Sequence, residues 1–115
     1  MRETQRKVIL PLLGVLKNLK AADRIIILAH LDDLSRDSLY ETINRVLSQS
    51  SPLPSSKKKL IRKKLWSHRE DLRYLTSKKS KSKREKKRRL VHMGGNPLGY
   101  LLKAAVPLLL NLYGK

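Results

Sequence analysis

The chain has 115 residues, of which 27 are Lys or Arg and 9 are Asp or Glu, so its formal net charge is +18. This excess of positive charge is far greater than solubility requires, and it indicates a polyanionic partner. The length limits the fold to one small domain, and the absence of cysteine excludes disulfides and thiolate metal sites.

The positive charge is concentrated in the second half of the chain. Residues 1–51 contain eight cations and six anions, residues 52–76 contain eight and two, and residues 77–89 contain nine and one. Residues 90–115 contain only two lysines and no anion. We therefore divide the chain at these boundaries into a leucine-rich region, a basic segment, a Lys/Arg tract and an apolar C-terminal region.

The leucine-rich region has the periodicity of helices. Apolar residues recur at helical spacing over residues 5–19 and predict a first helix there. Asp23 can cap a second, short helix, and Ser35 or Asp37 can cap a third. No segment of the sequence alternates with period two for long enough to suggest a strand, so the predicted fold class is all-α.

The basic segment predicts an amphipathic helix over residues 56–76, after a loop rich in Ser and Pro. It would complete a bundle of about four helices. Its apolar seam consists of Ile61, Leu65, His68, Leu72 and Leu75. The cations outside the seam that are candidates for nucleic-acid binding are Lys57, Lys58, Lys59, Arg62 and Lys63. Three interpretations stay open: contact with a nucleic acid backbone, contact with an anionic membrane, or packing with solvated charges.

The Lys/Arg tract has the charge density of a phosphate-binding arm. Residues 78–89 contain no apolar side chain, and we expect no fixed structure because like charges repel. Its candidate phosphate-binding residues are Lys78, Lys79, Lys81, Lys83, Arg84, Lys86, Lys87, Arg88 and Arg89. A nuclear localisation signal is the alternative interpretation. No sequence readout is expected, because phosphate contacts do not discriminate bases.

Within the C-terminal region, residues 90–115, Gly94-Gly95 and Pro97 predict a hinge. Residues 98–113 then predict a hydrophobic helix. Its sixteen residues would extend about 24 Å, less than the roughly 30 Å core of a bilayer. The segment must bury its apolar surface against the bundle, a second copy, another protein or a membrane interface.

No catalytic or metal-binding constellation is evident in the sequence. His30, His68 and His92 fall in different segments, and no nucleophile, base and orienting group converge by spacing. We interpret Asp32-Asp33, beside His30, as a polar helix end rather than a metal site. The sequence therefore predicts a protein that is not an enzyme and that has no cofactor and no metal.

A resemblance to viral core proteins concerns the end of the basic tract and the tail. The stretch from Arg88 to Leu98 and the apolar, proline-containing tail resemble the precursor of the adenovirus core peptide mu. The whole layout is similar to the small basic proteins of Polinton and adintovirus elements. The resemblance implies a virion core protein whose residues 78–89 condense DNA. It also implies cleavage after Gly94-Gly95 by a viral cysteine protease, although His92 stands where that protease favours Met, Leu or Ile.

The leading hypothesis is a protein that binds and condenses double-stranded DNA without sequence preference, with RNA as the alternative target. We expect it in the host nucleus and in the virion, where self-association or a capsid protein would provide further contacts. One alternative is a membrane-active protein whose residues 98–113 enter an anionic membrane. Another is a nuclear helical adaptor whose residues 1–51 bind a protein partner.

Overall fold

A computed structural model describes residues 3–48, 53–77 and 82–113, with side chains in the last helix described for residues 96–104, 106 and 107. The described residues contain helices and connecting turns and no strand, which confirms the all-α class. The helices are α1 (Glu3–Asn18), α2 (Ala21–Ala29), α3 (Asp33–Leu47), α4 (Ser55–Lys64), α5 (Arg69–Thr76), α6 (Lys83–His92) and α7 (Asn96–Tyr113). Seven α-helices in these ranges exceed the predicted number, a bundle of about four helices and one C-terminal helix.

The centre of the molecule is formed by α1, α3 and α7, which contact one another in all three pairs. Each helix presents a stripe of residues that are at most 2% exposed, as expected for amphipathic helices around one core. These residues are Ile9, Leu13 and Leu16 in α1, Leu39, Ile43 and Val46 in α3, and Leu98, Leu101 and Leu102 in α7. The first half of α7 is therefore part of the core.

The start of two helices differs from the predicted caps. Asp32 caps α3, because its side chain accepts a hydrogen bond of 2.7 Å from the backbone N–H of Ser35. This cap precedes the predicted Ser35 and Asp37, and it satisfies an amide that the helix itself leaves without a partner. Asp23 lies in the first turn of α2 rather than at its cap, where its negative charge suits the helix dipole.

The basic segment forms two helices rather than the single predicted one. A 3₁₀ turn at Trp66–His68 separates α4 from α5. The predicted seam is nevertheless buried at its apolar positions, Ile61, Leu65, Leu72 and Leu75, all at most 7% exposed. After the turn, α5 packs against both α3 and α6.

The predicted disorder of residues 77–89 is wrong for residues 83–89, which belong to α6. Lys78, Lys79 and Lys81 lie outside the described residues. Ser82 caps α6 by accepting a hydrogen bond of 3.3 Å from the backbone N–H of Glu85. At the other end, Leu90 and Met93 are fully buried in the core. The helix therefore crosses the boundary between the basic tract and the apolar region, and burial at its end holds the charged turns in place.

Arg24 joins the end of α1 to the turn between α6 and α7. Its side chain, only 5% exposed, donates hydrogen bonds to the carbonyls of Leu16 at 2.9 Å and Leu19 at 2.8 Å. It also donates to the carbonyls of Gly94 at 3.3 Å and Gly95 at 2.8 Å. One guanidinium thus satisfies four carbonyls, two of which lie at least seventy residues from Arg24 in the sequence.

The Gly94-Gly95 pair forms a packed turn rather than the predicted hinge. A Cβ atom at Gly94 would lie 2.9 Å from side-chain carbons of both Ile25 and Leu28. None of the described glycines has a positive φ angle. Glycine is therefore required at position 94 for the close approach of α2 and not for flexibility.

Two glycine substitutions are expected to have opposite effects on stability. Gly14 lies inside α1 with open space around it, so Gly14→Ala should stabilise the protein by about 0.5–1 kcal/mol. A Cβ at Gly99 would lie 2.6 Å from Nη1 of Arg24, so Gly99→Ala should destabilise it by about 1–3 kcal/mol. Urea unfolding of both variants measures the two effects, and a stable Gly99→Ala protein would contradict the role given to Arg24.

Candidate nucleic-acid interface

The surface of α4 has the highest density of cations without nearby anions among the described residues. Six of its ten residues are Lys or Arg and none is acidic. Only Ile61 is buried, so the helix is attached to the bundle by one side. Lys59, Arg62 and Lys63 are exposed on its outer side, and we call these three residues the α4 face.

The other cations of α4 lie at the edges of this face. Lys57 is exposed, whereas Lys58 is half-buried beside a small groove against Leu47 at the end of α3. The ammonium group of Lys64 lies 5.1 Å from the centre of the Tyr100 ring, a favourable cation–π arrangement. Because α4 has no carboxylate of its own, repulsion among these cations favours a bound polyanion.

Arg89, in contrast, has a structural role within the bundle. Its guanidinium contacts Oδ1 of Asp71 at 3.0 Å and Oε1 of Glu85 at 3.2 Å, and it lies 4.4 Å from the centre of the Tyr74 ring. The side chain is only 25% exposed. A phosphate would have to replace two carboxylates and a ring, so Arg89 is a poor candidate for nucleic-acid contact.

The remaining cations of α6 differ in their availability. Lys86 lies 5.3 Å from the Tyr40 ring centre and donates to the carbonyl of Ser77 at 3.5 Å. Lys83 pairs with a carboxylate of α3 at 3.6 Å, yet its side chain is 82% exposed. Arg88 pairs with Glu85 and is 65% exposed. Such exposed ion pairs contribute little free energy, so both can exchange their carboxylate for a phosphate.

Arg84 and Lys87 have no carboxylate partner within the described part of the chain. The predicted binding residues therefore form two groups. The α4 face and its edge residue Lys57 are exposed and not neutralised, whereas α6 offers some free cations and uses others to hold the bundle together. The cations of α4 also include Lys64, which the prediction did not list.

Glu85 is the carboxylate that compensates the positive charge of α6. Its hydrogen bond with Arg88, of 2.9 Å to Nε, and its contact with Arg89 lower the pKa of Glu85 to about 2. A carboxyl group whose pKa is lowered on folding stabilises the protein above its unfolded pKa, and this contribution is lost as the pH falls towards the folded value.

We expect Glu85→Gln to lower the Tm at neutral pH, because the variant lacks this carboxylate. The Tm difference from the wild type should shrink between about pH 4.5 and pH 2, where Glu85 itself takes up a proton. Circular dichroism melts at several pH values measure the difference. A difference that does not change with pH would show that the carboxylate charge of Glu85 has no part in holding α6.

The predicted protease site lies in a folded part of the chain. The carbonyls of Gly94 and Gly95 accept hydrogen bonds from Arg24, and α7 begins at the next residue, Asn96. Gly94 is buried. Cleavage between Gly95 and Asn96 would therefore require local unfolding of this turn, since proteases need access to the backbone.

Two polar clusters were not predicted from the sequence. Arg24 in the core has no local signal, because a single Arg near a helix start looks like any surface residue. Asp71 lies between His68 and His92, whose Nδ1 atoms are 3.8 and 3.2 Å from its Oδ2 atom. The three-residue spacing of His68 and Asp71 was a signal that both lie on one side of a helical turn.

Comparison with known proteins gives no relative: no family model, no curated protein and no solved structure matches the chain. Among the described residues, no helix is both long and apolar enough to cross a membrane.

Proposed function

We propose that the protein binds nucleic acid through its phosphate backbone, without sequence preference, and condenses double-stranded DNA. The observation that supports this most strongly is α4, with six cations, no carboxylate and an exposed outer face. Each cation that neutralises a phosphate releases a condensed counterion, which makes such binding favourable at low salt. The proposal agrees with the resemblance to virion core proteins, and it includes the role of a virion core protein for this chain.

The shape of α4 fits a backbone contact. Ten helical residues extend about 15 Å, which corresponds to about four base pairs along a duplex. The α4 face and its edges place several cations along this length. Among the residues that the structure describes, Trp66 is the one exposed aromatic ring next to α4, and a single ring is not a platform on which several bases stack in turn. We therefore expect α4 to recognise a nucleic acid through the charge and the spacing of its phosphates.

Condensation requires one protein to contact two duplex segments, or several proteins to associate on one. The chain offers a second cationic helix, α6, whose exposed residues Arg84 and Arg88 and half-buried Lys87 supplement the α4 face. We propose that these two helices bridge neighbouring duplexes. The residues 78–81, which lie outside the described ranges, would add three further lysines.

The hydrophobic tail belongs to the bundle in this proposal. Leu98, Leu101 and Leu102 are at most 1% exposed against α1 and α3. We propose that residues 98–113 continue as one helix on the bundle. If this segment entered a membrane, these three leucines would leave the core. The loss of their burial against the bundle would destabilise the fold.

A second candidate function, binding to an anionic membrane surface, is favoured by two exposed apolar residues beside the cations of α4. Leu60 is 46% and Trp66 is 63% exposed, and Arg69 lies 4.5 Å from the Trp66 ring. Trp beside cations is typical of interfacial helices. Vesicles with and without anionic lipid test this: binding that equals or exceeds binding to DNA would favour the membrane over the nucleic acid.

The experiment for the main proposal compares two unrelated duplexes of 30 base pairs, together with a double-stranded RNA of equal length. We expect the two DNA affinities to agree within about threefold, since phosphate contacts carry no sequence information. Light scattering of a long duplex should increase as the protein is added. A strong preference for one duplex would contradict sequence-independent binding, and unchanged scattering would contradict condensation. Tighter binding to RNA than to DNA would make RNA the target.

A further inference from the structure

The side chains of His68, Asp71 and His92 form a cluster between three elements of the bundle. His68 ends the 3₁₀ turn, Asp71 lies in the first turn of α5, and His92 is the last residue of α6. Both Nδ1 atoms face the same carboxylate oxygen, Oδ2 of Asp71. The two imidazole rings lie 6.0 Å apart between their centres and are tilted by 58°. Three potential ligands thus converge from sites up to 24 residues apart.

The orientation of the carboxylate is fixed from the opposite side. Oδ1 of Asp71 accepts a hydrogen bond of 3.0 Å from Nη1 of Arg89, and Arg89 is itself held by Glu85 and by the Tyr74 ring. Metal-binding residues are commonly oriented by such outer partners, which leave the ligand atom free to face the metal. The carboxylate is only 18% exposed, whereas His92 is 63% exposed, so one side of the cluster is open to solvent.

We propose that His68, Asp71 and His92 bind a divalent transition-metal ion of the zinc class. Each residue offers one ligand atom, and these atoms lie within 4.8 Å of one another. Tetrahedral zinc with bonds of about 2.0–2.1 Å separates its ligands by about 3.3 Å, and the distance from Oδ2 to Nδ1 of His92 is already 3.2 Å. The distance from Oδ2 to Nδ1 of His68 is 3.8 Å, so this pair must approach by about 0.5 Å to bind the same ion.

The donor set selects the metal. Two imidazole nitrogens and one carboxylate oxygen suit zinc, cobalt, nickel or copper, whereas magnesium and calcium prefer sites made of oxygen ligands. The strongly cationic surroundings, including Arg89 on the same carboxylate, oppose ions held by charge alone. Binding must therefore depend on the imidazole nitrogens. Three protein ligands leave a fourth position on the exposed side for water.

The metal would connect α5 to α6. These helices are joined by the segment from Ser77 to Ser82, of which residues 78–81 are not described. A metal bound to His68 and Asp71 on one side and His92 on the other holds the end of the basic helix against the bundle. Because the site forms only in the folded protein, metal binding stabilises the fold.

The test uses the full-length, tag-free protein and its thermal unfolding with ZnCl₂, MgCl₂ or CaCl₂. A hundredfold excess of zinc over its dissociation constant should raise the Tm by about 10 °C, with no comparable rise for magnesium or calcium. The variants His68→Ala and His92→Ala should each lose most of this rise. The matched control His30→Ala, which changes an exposed histidine at the end of α2, should retain it.

Cobalt provides a second readout that does not depend on stability. The visible absorption of Co²⁺ becomes intense in a tetrahedral site, so the wild-type protein and His30→Ala should give this spectrum and His92→Ala should not. His92 is largely exposed, and we expect its replacement to leave the fold intact. The proposal is overturned if zinc does not raise the Tm, if His92→Ala retains the full effect, or if magnesium acts equally well.

Discussion

The variant Lys59→Ala/Arg62→Ala/Lys63→Ala is expected to bind duplex DNA about 10²-fold more weakly than the wild type at 0.15 M salt. Each neutralised phosphate raises the affinity about fivefold when the salt concentration falls from 1 M to 0.15 M. The three cations of the α4 face together therefore raise the affinity about 10²-fold. All three side chains are exposed, and alanine favours a helix, so the fold should be preserved. Fluorescence anisotropy with a labelled duplex measures the affinity.

A variant with the same change in net charge provides the control. Lys7, Lys17 and Lys20 are exposed in or beside α1, in the region where anions nearly balance cations. Replacing these three with alanine should weaken binding by less than about fivefold, because only long-range attraction is reduced. Equal losses in the two triple variants would show that net charge alone, and not the α4 face, determines binding.

The second large effect is expected for Arg24→Ala, which should destabilise the protein by about 2–4 kcal/mol. The variant loses four hydrogen bonds from a charged donor to the carbonyls at the end of α1 and in the Gly94-Gly95 turn. Part of the cost arises because buried carbonyls are left without a hydrogen-bond donor. The Tm should fall by about 10–20 °C. Arg24→Lys should recover only part of the lost stability, because one ammonium group cannot reach all four carbonyl acceptors.

The control for this variant is Lys20→Ala, an exposed change one turn away that should alter the free energy of unfolding by less than about 0.5 kcal/mol. A double variant adds a sharper criterion. Gly99→Ala is unfavourable because its Cβ would meet Arg24, so in the Arg24→Ala background it should cost much less. Additive effects of the two changes would contradict direct contact between positions 24 and 99.

The sequence predicted the helical class because the apolar positions have a helical period wherever a core is needed. The seam of Ile61, Leu65, Leu72 and Leu75 is buried as predicted. The break between α4 and α5 was not predicted, because the same spacing is compatible with one straight helix or with two helices that meet at a turn. Only the packing of α5 between α3 and α6 distinguishes the two.

The disorder predicted for residues 77–89 was wrong over α6 for an identifiable reason. The repulsion argument considered the tract alone, whereas carboxylates of other helices add to the tract's own Glu85: Asp71 contacts Arg89 and a carboxylate of α3 contacts Lys83. Burial of Leu90 just after the tract then anchors the helix. Charge compensation between distant segments cannot be counted from a local composition.

The cations of the candidate site could be listed from the sequence, but their availability could not. Lys59 and Arg89 are equivalent in a composition, yet the first is exposed on α4 and the second lies between two carboxylates and a ring. The glycine pair likewise suggested flexibility, whereas Gly94 allows close packing of Ile25 and Leu28. Both distinctions depend on tertiary neighbours.

The salt dependence of DNA affinity tests the central claim most directly. For the full chain and a duplex of arbitrary sequence, a plot of log affinity against log salt should have a slope of about −5 to −8, which corresponds to about six to nine neutralised phosphates. The slope should become less negative by about 2.7 in Lys59→Ala/Arg62→Ala/Lys63→Ala, one phosphate being lost for each cation. A slope near zero, or one that this variant leaves unchanged, would contradict binding by phosphate neutralisation through the α4 face.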